Sequence, residues 1–200
     1  IVLAVGNTPK PLPARGASSL PAQSVLEAWD FNSLKRIPTD AEVCIAGSGL
    51  SMVDTVLSLL ANGHRGRMHV LSRHALLPLP HTAHSVATLE TGFLQRLSLR
   101  ARMRFLRRAV EKAEAGGLPW QAVMEAVRPS VQALWSTLCL RDQKRFLRHV
   151  VRYWDVHRHR IAAQVHAQLQ QLQASGQLQL HRARLDTVAR EGQRLRLAGL

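Results

Sequence analysis

The feature that most constrains the fold is a strand, a glycine turn, a helix and a second strand between residues 43 and 73. The run Val43–Ala46 is β-rich and leads into Gly47-Ser48-Gly49. Residues Leu50–Ala61 carry apolar side chains at helical spacing, and a second β-rich run, Met68–Leu71, follows. This order predicts a parallel β-α-β unit and places the chain in the α/β class.

The glycine turn has a chemical use at the start of a helix. Gly47 permits a sharp turn, and Gly49 has no side chain to hold an anion away from the backbone. The first N–H groups of the helix, near Leu50 and Ser51, lie at the positive end of its dipole, and the Ser51 hydroxyl adds a donor. The third glycine of the full fingerprint is replaced by Met52, so we expect the helix to pack slightly farther from the strand. The pattern predicts a pyrophosphate site; a glycine turn that binds no ligand is the alternative.

The end of the second strand bears on the choice of nucleotide. NAD sites usually carry an acidic residue there for the ribose 2′-hydroxyl, but none occurs between Asp54 and Glu90. Ser72-Arg73-His74 stands at that point instead, and arginine and serine side chains suit a 2′-phosphate. We therefore expect NADP, with NAD as the alternative cofactor and a solvated Arg73 as the alternative interpretation. The predicted cofactor-binding residues are Gly47, Ser48, Gly49, Leu50, Ser51, Ser72, Arg73 and His74.

The rest of the chain separates into segments of different character. We expect a strand (Ile1–Val5) and linker in 1–40, the β-α-β core in 41–85, a helical insertion in 86–175, and two or three antiparallel strands in 176–200. Both ends interrupt apolar patterns, and we expect residues 1–200 to be an internal piece of a longer protein.

Four helices are predicted within the insertion. The first begins near Val86 and ends at Gly116-Gly117, the second opens at Pro119, the third spans Arg141–Tyr153, and the fourth runs from Ile161 to Ser175. The stretch Trp154–Arg160 is predicted to be a connecting turn that packs its tryptophan and projects its charges. His157 and His159 could ligate a metal, but neither a carboxylate nor a cysteine cluster accompanies them.

The charge balance favours anionic partners, because 27 Lys and Arg face 13 Asp and Glu for a net charge of +14. The arginine-rich stretch Arg96–Arg108 could contact nucleic acid, but it lacks interleaved aromatics and no helix-turn-helix or zinc pattern accompanies it. The favoured interpretation is a solvated basic face or a surface for a partner, and nucleic acid is the less favoured alternative. No apolar run is long enough to span a membrane, and the two distant cysteines, Cys44 and Cys139, favour a cytoplasmic location.

Several stretches together resemble a known family. They are Ile1–Gly6, the glycine motif Gly47–Asp54, Ser72–Pro78 with His81, Arg145–His149 and Trp154–Arg160. The sequence resembles the bacterial FAD/NAD(P)-binding protein family, which is similar to flavin monooxygenases and amine N-hydroxylases. The resemblance implies a Rossmann-type NAD(P) domain with a helical insertion and terminal strands from a flavin-binding domain.

The resemblance also implies how the cofactors are shared. Proteins of that family carry a separate glycine fingerprint for FAD, whereas this sequence has a single G-x-G, at Gly47. The expected function is the NAD(P)H-binding portion of an FAD-dependent oxidoreductase, with the flavin bound by regions outside these residues. The alternative is a non-catalytic nucleotide-binding scaffold or sensor whose basic helices bind a partner protein or nucleic acid.

Overall fold

The computed structural model describes residues 11–192 and 194–199, and its helices and strands divide between two units. The helices are α1 (Phe31–Leu34), α2 (Leu50–Ala61), α3 (Leu99–Ala115), α4 (Trp120–Val127), α5 (Val131–Ser136), α6 (Leu140–His149), α7 (Val151–Arg158) and α8 (Ala163–Ala174). The strands are β1 (Val43–Ala46), β2 (Met68–Ser72), β3 (Leu178–Arg182), β4 (Leu185–Glu191) and β5 (Arg194–Gly199). Of the described residues, the first unit contains those up to Leu77 and from Gln168 onward, and the second contains Pro78–Ala167. The predicted strand Ile1–Val5 lies outside the described residues.

The first unit is built on a three-stranded parallel sheet in the order β1-β2-β3. Helix α2 connects β1 to β2, so the predicted β-α-β unit is confirmed, with β2 one residue longer than expected. Gly63, at a φ of +77°, follows the end of the helix in the left-handed conformation that glycine tolerates. The chain is therefore an α/β protein with a parallel sheet.

The core of this unit is aliphatic, as the scarcity of aromatic residues in the sequence requires. One face of α2 and one face of the sheet are buried. Both carry regularly spaced apolar side chains, about every 3.6 residues along a helix and every second residue along a strand. The fully or nearly fully buried residues are Met52, Val53, Val56 and Leu59 of α2 and Met68, Val70 and Leu178 of the sheet. Burying side chains of this size contributes about 1.5–3 kcal/mol each.

The opposite face of the sheet is more open. Cys44 and His181 on this face are exposed, and His69 between them is half-buried. The imidazoles of His69 and His181 lie side by side, with 3.0 Å between Nδ1 and Nε2. Parallel sheets are usually covered on both faces, so this face is less covered than the fold class leads one to expect.

The C-terminal strands correct one prediction. Residues 178–182 were expected to pair antiparallel, but β3 pairs parallel with β2, with Met68 opposite Leu178. The reason is that α8 precedes β3 and returns the chain to the same end of the sheet, which a short run of alternating residues does not reveal. The antiparallel expectation is confirmed for β4 and β5, which form a separate two-stranded sheet.

The second unit is helical, with bounds that differ from the predicted ones. Its first helix, α3, begins at Leu99 and not near Val86, because Ser98 caps it by accepting a hydrogen bond from the N–H of Ala101. The predicted helix Arg141–Tyr153 is divided at Val150 into α6 and α7, and α5 was not predicted. The stretch Trp154–Arg160 is helical as far as Arg158, so the predicted connecting turn is wrong.

Candidate functional site

The glycine turn at the carboxyl end of β1 has two glycines with different roles. Gly47 has a φ of +106°, which favours glycine, and its N–H donates to the carbonyl of Leu71 at 2.8 Å. Gly49 has a φ of −85°, and a Cβ added to it would meet no protein atom within 4 Å. The fold therefore requires glycine at Gly47, whereas the open space beside Gly49 is available to a ligand.

The start of α2 is free of side-chain caps. Gly49 is the N-cap residue, and no side chain among the described residues accepts a hydrogen bond in the capping position. Its carbonyl accepts from the N–H groups of Met52 and Val53 at 3.1 and 3.4 Å, while those of Leu50 and Ser51 precede the first intrahelical bonds. Leu50 is 41% exposed. This helix end therefore presents N–H donors and a positive dipole end.

A pair of hydroxyls joins this turn to the end of β2. The Ser48 hydroxyl donates to Oγ of Ser72 at 2.9 Å, and the same oxygen accepts from the N–H of Ala75 at 3.0 Å. A serine hydroxyl has two acceptor sites and one donor hydrogen. Both acceptor sites of Ser72 are used, and its hydroxyl donates to no atom of the described residues, so its hydrogen can donate to an anionic or carbonyl oxygen of a ligand.

The predicted site residues lie at or next to one edge of the sheet in the structure. The parallel register, with Ala46 opposite Leu71, brings residues 47–51 and Ser72 to one edge of the sheet, where its strands end. Arg73 follows Ser72, is exposed, and makes no hydrogen bond or ion pair within the described part of the chain. His74 is half-buried beside it. Carboxyl ends of parallel strands are where α/β proteins bind ligands.

Electrostatics at this edge favour an anion. The first turn of α2 contains no acidic residue, and no carboxylate stands at the end of β2, since Ser72 ends the strand and Arg73 and His74 follow it. The hydroxyl pair Ser48–Ser72 was the feature that sequence reasoning did not identify. The signal was present, because two serines that follow paired parallel strands by one or two residues meet at the same edge.

The stretch Trp154–Arg160 packs against other residues of the second unit. The ring of His157 meets that of Trp120 edge to face, with centroids 4.7 Å apart. The Arg160 guanidinium lies 5.9 Å from the same indole, is 4% exposed, and pairs with Glu125. The expectation that this stretch projects its charges is therefore wrong for Arg160. Within residues 11–192 and 194–199, no group of three or more His, Cys, Asp or Glu could hold a metal ion.

Glu125 is the carboxylate in the cluster formed by Trp120, Glu125, His157 and Arg160. Burial opposes its ionisation, but hydrogen bonds and charges from Arg128 and Arg160 outweigh this effect and hold the pKa of Glu125 below its usual value. The carboxylate is thus shared between two arginines and serves to compensate charge. This arrangement supports a structural role for the cluster in the second unit.

Comparison with known proteins found no family model, no curated protein and no solved structure that matches this chain. The structure defines the chain as an α/β protein with a three-stranded parallel sheet. In the part of the chain that the structure describes, no helix combines the length and apolar content needed to cross a bilayer.

Proposed function

We propose that the turn Gly47-Ser48-Gly49 and the start of α2 bind the diphosphate of a pyridine dinucleotide in a Rossmann-type site. The main support for this proposal is that the N-terminus of α2 has no side-chain cap and that the space beside Gly49 is open. Both features lie where the parallel strands end. The N–H groups of Leu50 and Ser51 would donate to the phosphate oxygens. Hydrogen bonds to charged acceptors are shorter and roughly twice as strong as neutral ones.

NADP is the proposed nucleotide, with NAD as the alternative. The Ser72 hydroxyl and the exposed guanidinium of Arg73 lie at the end of β2, where a Rossmann-type site meets the adenosine ribose. A guanidinium can bind a phosphate through two parallel hydrogen bonds. His74 lies next to this position and would contribute to the same surface.

The wider proposal is that this segment is the NAD(P)H-binding portion of an FAD-dependent oxidoreductase that acts in the cytoplasm. When bound, the nicotinamide would supply a hydride to a flavin held by regions outside these residues. The residues described here would bind and orient the dinucleotide, and the cofactors would carry the redox chemistry. The basic character of the chain, with a net charge of +14, would attract the anionic nucleotide.

Substituting Gly49→Ala tests the binding site directly. The added methyl meets no protein atom and the φ of −85° suits alanine, so the loss of stability should be less than about 1 kcal/mol. The same methyl would stand between the backbone and the diphosphate, and we expect NADPH affinity to fall at least tenfold by calorimetry. Gly92→Ala is the matched control, since a Cβ there also meets open space. Equal NADPH affinity in wild type and Gly49→Ala would reject the site.

The oxidoreductase part has its own test. In the natural full-length polypeptide, we expect bound flavin whose visible absorbance is bleached by NADPH in the absence of oxygen. A protein that binds NADPH but carries no flavin, or whose flavin is not bleached, would instead support the non-catalytic scaffold or sensor. A wild-type protein that binds neither NADPH nor NADH would remove the nucleotide proposal altogether.

A further inference from the structure

The helical unit contains an apolar cavity of about 160 Å³ among α3, α5, α6 and α7. Its walls include Met103 and Leu106 of α3, Val127 of α4 and the aromatic rings of Trp135, Phe146 and Trp154. A cavity of roughly 150 Å³ with apolar walls is large enough to bind benzene. The cavity therefore has room for an apolar group of about the size of one aromatic ring.

The aromatic side chains form a continuous edge-to-face chain along one wall. The Trp135 and Phe146 rings have centroids 5.7 Å apart at 69°, and those of Phe146 and Trp154 are 6.1 Å apart at 66°. Aromatic rings prefer offset or edge-to-face neighbours at 4.5–7 Å. A ring that enters the cavity would extend this packing and gain contacts that an aliphatic group makes less well.

The charged residue on the cavity wall, Arg102, is not available to a ligand. It is 5% exposed, and it donates to the carbonyls of Leu97, Gln95 and Leu134 and to the hydroxyl of Thr137. These bonds use four of the five N–H groups of a guanidinium. Arg102 therefore links α3 to the turn that precedes it and to the end of α5. With its guanidinium occupied in this way, the cavity suits a neutral apolar group.

A basic groove of about 410 Å³ adjoins the cavity, and the two share Leu99 and Met103. Arg100 and Arg107 line this groove; they are exposed and form no ion pair within the described residues. Positions 100, 103 and 107 lie on one face of α3 because of their spacing. Met103 lines both the groove and the cavity, so the positive charges of Arg100 and Arg107 lie on the same face of α3 as a residue of the cavity wall.

The acidic side chain in the groove is already neutralised. The Asp142 carboxylate accepts a hydrogen bond from the N–H of Leu99 at 3.0 Å and pairs with Arg145 at 3.5 Å. Asp142 and Arg145 offset each other, so the charges of Arg100 and Arg107 remain. An anionic group in the groove would meet two uncompensated guanidinium groups.

We propose that the helical unit binds a small aryl carboxylate from solution, with its ring in the cavity and its carboxylate on Arg100 and Arg107. This proposal depends on residues of the second unit alone and is independent of nucleotide binding. It assigns the insertion a ligand of one chemical class: a single aromatic ring joined by a short chain to an anionic group. Guanidinium groups bind carboxylates through paired hydrogen bonds.

The test titrates 3-phenylpropionate into the whole chain, with tryptophan fluorescence and calorimetry as readouts. Trp135 and Trp154 line the cavity, so a ring that enters it should change their emission. We expect saturable binding, at least tenfold weaker for 3-phenylpropanol, which lacks the charge, and for propionate, which lacks the ring. No saturable binding at millimolar concentrations, or equal binding of all three compounds, would overturn the proposal.

Two double variants separate a defined site from general attraction to a basic protein. Arg100→Ala with Arg107→Ala should weaken binding of 3-phenylpropionate at least tenfold. Arg104→Ala with Arg108→Ala removes the same charge from exposed positions of α3 outside the groove, and should leave the affinity within twofold. Equal losses in both variants would reject the site.

A third variant and a vesicle experiment complete the test. Leu106→Trp fills the cavity and should abolish the fluorescence response; if it fails to fold, the ligand series decides the question. Vesicles of phosphatidylcholine with phosphatidylglycerol examine the rival partner, a membrane surface. Vesicle binding that Arg100→Ala with Arg107→Ala removes, without binding of free 3-phenylpropionate, would replace the small ligand by anionic lipid.

Discussion

The Ser48 hydroxyl donates a hydrogen bond to the Ser72 hydroxyl at 2.9 Å, and this bond joins the glycine turn after β1 to the end of β2. The two residues are 24 positions apart in sequence. They meet because parallel strands end at the same edge of the sheet. The bond therefore holds the proposed diphosphate loop and the proposed ribose contact in one geometry.

Ser72→Ala should cost stability and nucleotide affinity together. The substitution removes the acceptor of the Ala75 N–H and of the Ser48 hydroxyl, and each lost hydrogen bond costs about 0.5–1.5 kcal/mol. We expect a lower urea midpoint and a several-fold higher Kd for NADPH. The control is Ser58→Ala, since the Ser58 side chain makes no hydrogen bond within the described residues. A Ser72→Ala protein as stable as the wild type would contradict the role of this bond.

The β-α-β unit could be predicted because its signals are local. A β-rich run, two glycines and an apolar stripe of helical period are contiguous, and the observed β1 and α2 have the predicted bounds. Gly47 illustrates why: its positive φ is a property of one residue and its neighbours. A local backbone requirement of this kind can be predicted from the residue types at and around one position.

The remainder could not be predicted because it depends on contacts between distant residues. The parallel pairing of β3 depends on β2, more than 100 positions earlier. Arg102 and Arg160 look like surface arginines in the sequence, yet both side chains are buried. Arg102 donates to backbone carbonyls, including that of Leu134, whereas Arg160 pairs with Glu125 through one nitrogen and buries its other two without a partner among the described residues. The spacing of Arg102 between Leu99 and Leu106, on the apolar face of α3, was the one signal of its burial.

Arg73→Ala should reduce the preference for NADPH over NADH. The exposed guanidinium follows β2, and the loss of a phosphate contact should lower NADPH affinity about tenfold, the equivalent of roughly 1.4 kcal/mol, without changing NADH affinity. Arg65→Ala is the control, because Arg65 is also exposed but precedes β2 at the opposite edge of the sheet. Equal affinities for the two nucleotides in the wild type would reject a 2′-phosphate contact at Arg73.

Glu125→Gln should destabilise the second unit at neutral pH. The substitution leaves the Arg160 side chain, which is 4% exposed, without its carboxylate partner, and a buried polar group that loses its partner costs about 1–3 kcal/mol. The control Arg128→Ala removes the exposed partner of the same glutamate and should cost no more than about 1 kcal/mol. Thermal and urea unfolding measure both effects. Equal stability of Glu125→Gln and the wild type would show that Arg160 is compensated by another group.

The same pair predicts a dependence on pH. Because the pKa of Glu125 is lowered in the folded state, its contribution to stability is complete above the ordinary glutamate pKa of about 4.3. That contribution is lost as the pH falls through the lower pKa of the folded state. The difference in stability between wild type and Glu125→Gln should therefore narrow from about pH 5 downward. A difference that stays constant to pH 3 would exclude this carboxylate as its source.

Replacing His64 in the first unit should increase stability, because the substitution removes a buried polar side chain. It is 4% exposed, and neither ring nitrogen has a hydrogen-bond partner within the described residues. An unsatisfied buried polar group costs about 1–3 kcal/mol, and leucine fills a similar volume. We expect His64→Leu to raise the free energy of unfolding by about 1 kcal/mol, since the hydrogen bond from Gln177 to the backbone carbonyl of His64 at 3.1 Å is retained.

The matched control for His64 is His149→Leu, at an exposed position in the last turn of α6. Surface substitutions usually change stability by no more than about 0.5 kcal/mol, so this variant isolates the effect of burial from that of the residue type. A His64→Leu protein less stable than the wild type would mean that the imidazole has a partner, such as a buried water.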